Sequence, residues 1–355
     1  MIRLFIAALW LTFLVSARPV LTPAQIREIE ALVSAEMSSQ RIPGMSIAIS
    51  TGDGLIWSNG YGMSDLENFV PAKASTVYRT ASIAKPMTAV AAMQLVETGA
   101  LDLDMPVQTY VPGFPEKDWP ISTRQLLGHL GGVRAYKDSA EMFLTKHYWS
   151  LSEAVKIFSE DPLVQEPGTK YLYSTFGYVL AGLVVENVAK QPFISYLQSH
   201  VFAPAGMKST TADDVYALIP NRSRGYQKSG SDKILNAALA DTSHKIPGGG
   251  LVSTAADLVA FALALGDGKL LKKETLETMF QPMTTKDGRS TGYGLGWGIG
   301  DFAGRRQVNH TGGQAGVSTM LRFLPSERVA IAMMFNLEGV SSNLLADRII
   351  ALILQ

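Results

Sequence analysis

The sequence predicts an α/β (α+β) fold: one antiparallel sheet built from both ends of the chain and flanked by helices, with a mostly helical lobe inserted over roughly 100–245. Three observations lead there. Strand-like alternation is confined to residues 44–62 and to three stretches after residue 290. The intervening chain reads as helical pattern broken by Gly and Pro. The 355 residues are 47% hydrophobic, enough for a sizeable core, and show no internal repeat and no interdomain linker. One domain over 18–355 is expected, with a site in the cleft between its two lobes.

Residues 1–17 place Arg3 ahead of an apolar run, Leu4 to Val15, followed by small residues. This is the layout of a signal peptide. The run is shorter than the about 20 residues that span a bilayer, so export to a periplasm or the exterior, without stable membrane insertion, is expected. TPAQIREIEALVSAEMSSQ (22–40) reads as a helix: Thr22 caps it, Pro23 suits its first turn, and Ile26, Ile29 and Val33 repeat at helical spacing. GMSIAISTGDGLIWSNGYG (44–62) reads as a hairpin that turns at G-D-G. ASIAKPMTAVAAMQLVETGALDLD (81–104) reads as a buried helix ended by Gly99. In EPGTKYLYSTFGYVLAGLVVE (166–186) a loop carrying Tyr173 precedes a helix that begins near Phe176. TGYGLGWGIG, GVSTMLRFLP and RVAIAMMFNL read as strands, NHTGGQAG (309–316) as a glycine-rich turn, and SSNLLADRIIALIL as a last amphipathic helix.

Composition closes off several function classes. Lys plus Arg equals Asp plus Glu, 31 each, so there is no basic stripe for a nucleic acid. The chain has no cysteine, which excludes disulfides, zinc–cysteine sites and a cysteine nucleophile. It has no H-E-x-x-H, no P-loop and no G-x-S-x-G. The histidines lack ligand spacing, and Asp102 with Asp104 reads as a solvated turn, so no metal and no cofactor is expected. His129 is expected to cap or bridge a buried turn.

The chemistry rests on Ser82 and Lys85. Three residues apart on a helix, they are neighbours, so the amine can reach the hydroxyl. A serine needs an adjacent base to act as nucleophile, and a lysine serves when burial disfavours its charged form. Pro86 puts this pair in the first helical turn, where the positive end of the helix dipole favours developing negative charge. Taken alone, S-x-x-K is a common pattern, and Tyr173 alone reads as a core tyrosine. Gly312 and Gly313 of HTGG allow backbone N–H groups to approach a ligand closely.

Several ordered segments together resemble the serine β-lactamase and penicillin-binding protein superfamily, in its class C and D-alanyl carboxypeptidase-like branch. ASIAKPMTA is similar to its S-x-x-K segment, LDLDMPVQTYVP to the stretch that follows, and ISTRQLLGHLGGV to its L-L-x-H-T-S-G-L signature, with Leu130 and Gly131 in place of Thr and Ser. YSTFGYVLAGLV stands where Y-x-N and its helix belong, GGGLVSTAADLVAF where G-G-L-x-S-T-x-x-D-L belongs, and HTGG where K-T-G belongs. YSTFGY and HTGG together look most like the serine β-lactamase-like proteins of mitochondria and their bacterial relatives. The resemblance implies a β-lactamase/transpeptidase-like fold and an acyl-enzyme serine hydrolase. It implies Ser82 as the acylated nucleophile, Lys85 as its base, and Tyr173 as the second acid/base group. The backbone N–H groups of Ser82 and Gly313 would form the oxyanion hole, His310 would take the place of the third-motif lysine, and Thr175, Thr311 and Gly312 would contact substrate.

Two departures bear on substrate. Thr175 replaces the usual Asn and cannot offer an amide's paired donor and acceptor. His310 replaces a charged lysine with a group whose ordinary pKa is about 6.5, which predicts a pH dependence in the histidine range. Both favour esters or peptides over β-lactams. The expected partner is a small-molecule or peptide substrate, and a homo-oligomer is compatible with the sequence. The alternatives are a weakly catalytic assembly or binding protein on the same fold, and a true β-lactamase or D-alanyl-D-alanine carboxypeptidase.

Overall fold

The computed structural model describes residues 21–52, 54–230 and 233–355. The expected signal peptide lies outside the described residues. Helix α1 (Pro23–Gln40) starts at a capping box in which the Thr22 side chain accepts from the Gln25 N–H and the Gln25 side chain answers. Strands β1 (Gly44–Ser50), β2 (Leu55–Asp65) and β3 (Val70–Pro71) follow, then helix α2 (Ala84–Glu97). Helices α3 (Thr175–Ala189) and α4 (Ala255–Gly266) come next. The chain closes with β4 (Gly298–Phe302), β5 (Arg305–Gln314), β6 (Val317–Leu324), β7 (Val329–Phe335) and helix α5 (Asn343–Ile353).

Both ends of the chain build one seven-stranded antiparallel sheet in the order β3-β2-β1-β7-β6-β5-β4. Its centre joins β1 to β7, with Ile47 opposite Met333. Every residue of β1, β6 and β7 is buried. The pleat explains this. In β7, Ile331, Met333 and Phe335 pack with Ile29 and Val33 of α1 and Ile349 of α5, whereas Ala330, Ala332 and Met334 face α2 and α4. Covered on both faces, such strands read as unbroken apolar runs.

The expected helical lobe is more irregular than its sequence suggests. Between α2 and α3 the helices are one-turn pieces, Thr123–Leu127, Ser139–Met142 and Leu151–Val155, held by loops. Short strands at Thr211–Ala212, Tyr226–Ser229, Lys233–Asn236 and Leu251–Ser253 had no counterpart in the sequence reading. Two to four residues are too few to show an alternation. The stretch 291–297 is likewise irregular rather than strand, with one isolated bridge from Tyr293 to Gly298, where β4 begins.

NHTGGQAG needs a larger correction. His310 to Gln314 are not a turn but the end of β5, with His310 opposite Leu321 and Gly313 opposite Ser318; the turn is Ala315-Gly316. Gly312 is there for room rather than for bending. A Cβ on it would stand 2.4 Å from Thr319 Oγ1 and 2.7 Å from the Thr80 carbonyl oxygen. Among the described residues no helix is long and apolar enough to cross a membrane.

Candidate active site

Ser82 sits in a single 3₁₀ turn, Ala81–Ile83, that runs into α2. Ala81 just before it has φ 47°, a left-handed conformation that an L-residue adopts at a cost of about 1 kcal/mol. Such strain at one residue is typical of a functional turn. Lys85 follows one turn later and is wholly buried. Its Nζ lies 2.9 Å from Ser82 Oγ, 2.6 Å from the Gly248 carbonyl oxygen and 3.3 Å from Thr175 Oγ1. Gly248 can approach because it has no side chain: a Cβ there would meet Thr175 Cγ2 at 2.6 Å. Desolvation, helped by the charge of Lys245, holds the Lys85 amine well below the usual lysine range. A neutral amine has two N–H groups for Gly248 and Thr175 and a lone pair that accepts the Ser82 O–H.

Tyr173 lies on the loop before α3, and His129 fixes that loop. The His129 carbonyl accepts from the Leu172 N–H (2.8 Å) and its Nδ1 accepts from the Ser174 N–H (3.1 Å), so the ring proton is on Nε2. The imidazole packs on the Tyr173 ring with centroids 4.2 Å apart. Ser174 caps α3 by accepting from the Gly177 N–H and donates to the Arg134 carbonyl. His129 thus bridges a buried turn, as its sequence context suggested. The Tyr173 ring comes within 4.7 Å of Lys85 Nζ. Desolvation of the phenol raises Tyr173 above its ordinary range, and the nearby Ser82 side chain partly offsets this.

His310 is buried on β5 behind Tyr173, ring centroids 6.3 Å apart. Its Nδ1 donates to the Thr311 carbonyl (2.6 Å) and its Nε2 accepts from the Tyr293 hydroxyl (2.9 Å). Burial, then the electrostatic influence of nearby Lys85, lowers its pKa to about 3 against the Thr311 bond. The expected titration in the histidine range is therefore overturned, because the ring is neutral throughout that range. Its lone pair is already taken by Tyr293. Thr311 is exposed beside it, and Gly312 is packed against Thr80 and Ala81.

A cavity of about 240 Å³ brings together Ser82, Tyr173, Thr175, Gly313, Tyr136 and Lys245. Sequence reasoning had not singled out Tyr136 or Lys245. Lys245 is buried, donates to the Met142 carbonyl (2.8 Å), and is lowered to about 8 by burial and by Arg79, against the pull of Asp213. The only signal was position, three residues ahead of the glycine run 248–250. No group of three or more metal-ligating side chains occurs among the described residues.

A buried amine on a serine hydroxyl, a tyrosine lining the same cavity and a strand edge beside both are the parts of an acyl-transfer site. The sequence pattern of the family described as Beta-lactamase matches residues 29–355. The chain belongs to the beta-lactamase family. It is 30% identical to human mitochondrial serine beta-lactamase-like protein LACTB, across 80% of this chain and 69% of that protein. D-amino acid amidase from Ochrobactrum anthropi SV3 superposes with a TM-score of 0.80 at 25% identity, covering 93% of this chain and 98% of the amidase. The octameric penicillin-binding protein homologue from Pyrococcus abyssi shares the fold, with a TM-score of 0.81 at 24% identity over 93% of this chain and 77% of its own. This is a family of serine hydrolases, with an amidase and penicillin-binding proteins among the proteins this chain resembles.

Proposed function

We propose that this member of the beta-lactamase family is an exported hydrolase that cleaves ester or amide bonds through an acyl-enzyme on Ser82. The observation that carries the reading is Lys85: wholly buried, 2.9 Å from Ser82 Oγ, and held well below the usual lysine range. Ser82 Oγ attacks the acyl carbon as its proton passes to Lys85. The oxyanion is taken by the N–H groups of Ser82 and Gly313, each such donor typically worth about 3 kcal/mol in the transition state. Tyr173 relays the proton to the departing oxygen or nitrogen. In deacylation Tyr173 relays the proton of the attacking water to Lys85, and Lys85 returns it to Ser82 Oγ as the acyl–oxygen bond breaks.

His310 supports a substrate without an obligatory carboxylate at that wall. A neutral ring with both nitrogens engaged offers no charge to bind one. A fluorophosphonate probe, p-nitrophenyl esters, nitrocefin and D-amino-acid amides, each tested on wild type and Ser82→Ala, check the reading. Adduct formation on Ser82 and ester or amide turnover lost in Ser82→Ala are expected. No adduct, with residual rates equal in both proteins, overturns it and leaves the assembly reading, which the octameric Pyrococcus homologue supports. Light scattering reads that directly. Export rests on the apolar run Leu4–Val15, and N-terminal sequencing of the expressed protein tests it.

A further inference from the structure

A second cavity, of about 400 Å³, lies at the turn between β5 and β6. Arg79, Arg222 and Arg224 line it, and Asp213 is its one carboxylate among the described residues. That carboxylate is already engaged. Its Oδ2 accepts from Arg79 Nε (2.7 Å) and from Thr242 Oγ1 (3.0 Å), and its Oδ1 lies 3.5 Å from Arg222 Nη2. Asp65 stands 3.7 Å from Arg224 Nε, and its oxygens are taken by the Glu67 and Asn68 N–H groups and the Asn68 side-chain amide. The lining therefore carries more positive than negative charge.

The three guanidiniums are used differently. Arg79 holds the wall, with Nη1 donating to the Ala315 carbonyl (3.3 Å) and Nη2 to the Ala240 carbonyl (2.9 Å). Arg222 donates from Nη2 to the Asp214 carbonyl (2.7 Å). Of its nitrogens only Nε is both buried and unpaired, so the unpartnered Nη1 is open to solvent. The Arg224 side chain is 60% exposed and makes no hydrogen bond among the described residues. Both stand on a fixed backbone. The Val77 N–H donates to the Asn221 carbonyl, the Ser223 N–H to the Val77 carbonyl and the Arg224 N–H to the Ser64 carbonyl, each at 2.9 Å. In such an extended run residues two apart share a face, which turns Arg222 and Arg224 to the same cavity. Val215 and Leu239 line it too, although 43% and 85% exposed.

We propose that this cavity is a binding site for an organic anion. Arg222 and Arg224 take its carboxylate or phosphate group through their free Nη donors, a geometry that suits guanidinium. Val215 and Leu239 cover an apolar body attached to that group. The site adjoins the Ser82 cavity, because Ala315, held by Arg79, directly follows Gln314, which lines that cavity. The acid group belongs either to the tail of a substrate held at Ser82 or to a separate small molecule.

Calorimetric titration at constant ionic strength, with hexanoate and hexanamide as probes, tests the site. Hexanoate is expected to bind saturably, and the neutral amide of the same shape at least about tenfold more weakly. Arg222→Gln and Arg224→Gln are each expected to weaken hexanoate binding by at least about tenfold. Arg224 is exposed enough for its variant to fold, which keeps the test decisive if Arg222→Gln does not. No saturable binding overturns the proposal. So does affinity kept in the arginine variants, or lost in Lys245→Met instead, which would put the anion beside Ser82. Kinetics then identify the source, with p-nitrophenyl hexanoate set against mono-p-nitrophenyl esters of diacids from adipic to decanedioic acid. A preference for an acid-tailed ester that Arg224→Gln removes identifies the substrate's own tail. Equal handling of all the esters identifies a separate small molecule. If no ester is turned over, the hydrolase reading falls and the calorimetry still decides the site.

Discussion

Lys85 and His310 are both buried bases flanking Tyr173, but their walls treat them differently. The α2 wall surrounds Lys85 with oxygen atoms and leaves its lone pair to the Ser82 hydroxyl. The β5 wall gives His310 one acceptor and one donor, which fixes a neutral tautomer with nothing left to exchange. Burial disfavours charge on both, so burial alone does not make a catalytic base. What separates them is whether the free lone pair meets the substrate-side hydroxyl or a structural one.

The largest expected effect removes the α2 side of this contrast. Lys85→Met should lower ester turnover by about 10³-fold or more, as loss of a nucleophile's partner does elsewhere. Kinetics beside Ser82→Ala would show the two losses to be non-additive in the double variant. Next comes the His129 bridge, which touches Tyr173 without facing Ser82. His129→Phe keeps a ring but loses the acceptor for the Ser174 N–H, and should cost about 10²-fold through misplacement of Tyr173. A fall mainly in kcat, with KM little changed, is the expected signature.

A smaller effect sharpens the electrostatics. The Lys245 charge adds to the desolvation that lowers Lys85. Lys245→Met removes that charge, so Lys85 is protonated more readily and its pKa rises. Activity needs the neutral amine, so the acid limb of kcat/KM should move to higher pH, by up to about one unit. A limb that moves down or stays would break the coupling. The smallest effect is on His310. With its pKa at about 3, its imidazole signals should not titrate between pH 5 and 8 in an NMR titration. The acid limb should keep its position in His310→Gln, because it belongs to Lys85.

The sequence exposed the same contrast only in part. Ser82, Lys85 and Tyr173 were legible because short, ordered motifs carry them and local helix geometry brings two of them together. The two-ended sheet was legible from the apolar runs of β1, β6 and β7. Lys245 and Gln314 were not, since each reaches the cavity through tertiary placement and has no local signature. The neutrality of His310 was only half visible: the residue type announces a titrating group, but Tyr293, 17 positions away in the chain, decides that it does not titrate in the histidine range. Reading HTGG as a turn failed for a related reason. Two glycines suggest bending, whereas Gly312 answers steric pressure from Thr80 and Thr319, which no local pattern reveals.

The pairing of β1 with β7 has a consequence for how the chain comes into being. Residues 44–50 are made well before their central hydrogen-bonding partners, 329–335. Until those emerge from the ribosome, β1 has β2 on one edge and nothing on the other, and the face it shares with α1 lacks α5. The turn that presents Ser82 is synthesised long before the strand that carries Gly313. Assembly of the site therefore waits for β5 to β7, and a nascent chain cut short before residue 329 would lack the central strand of its sheet. Arrest-peptide force measurements along the chain should show the main folding signal only once β7 has cleared the exit tunnel.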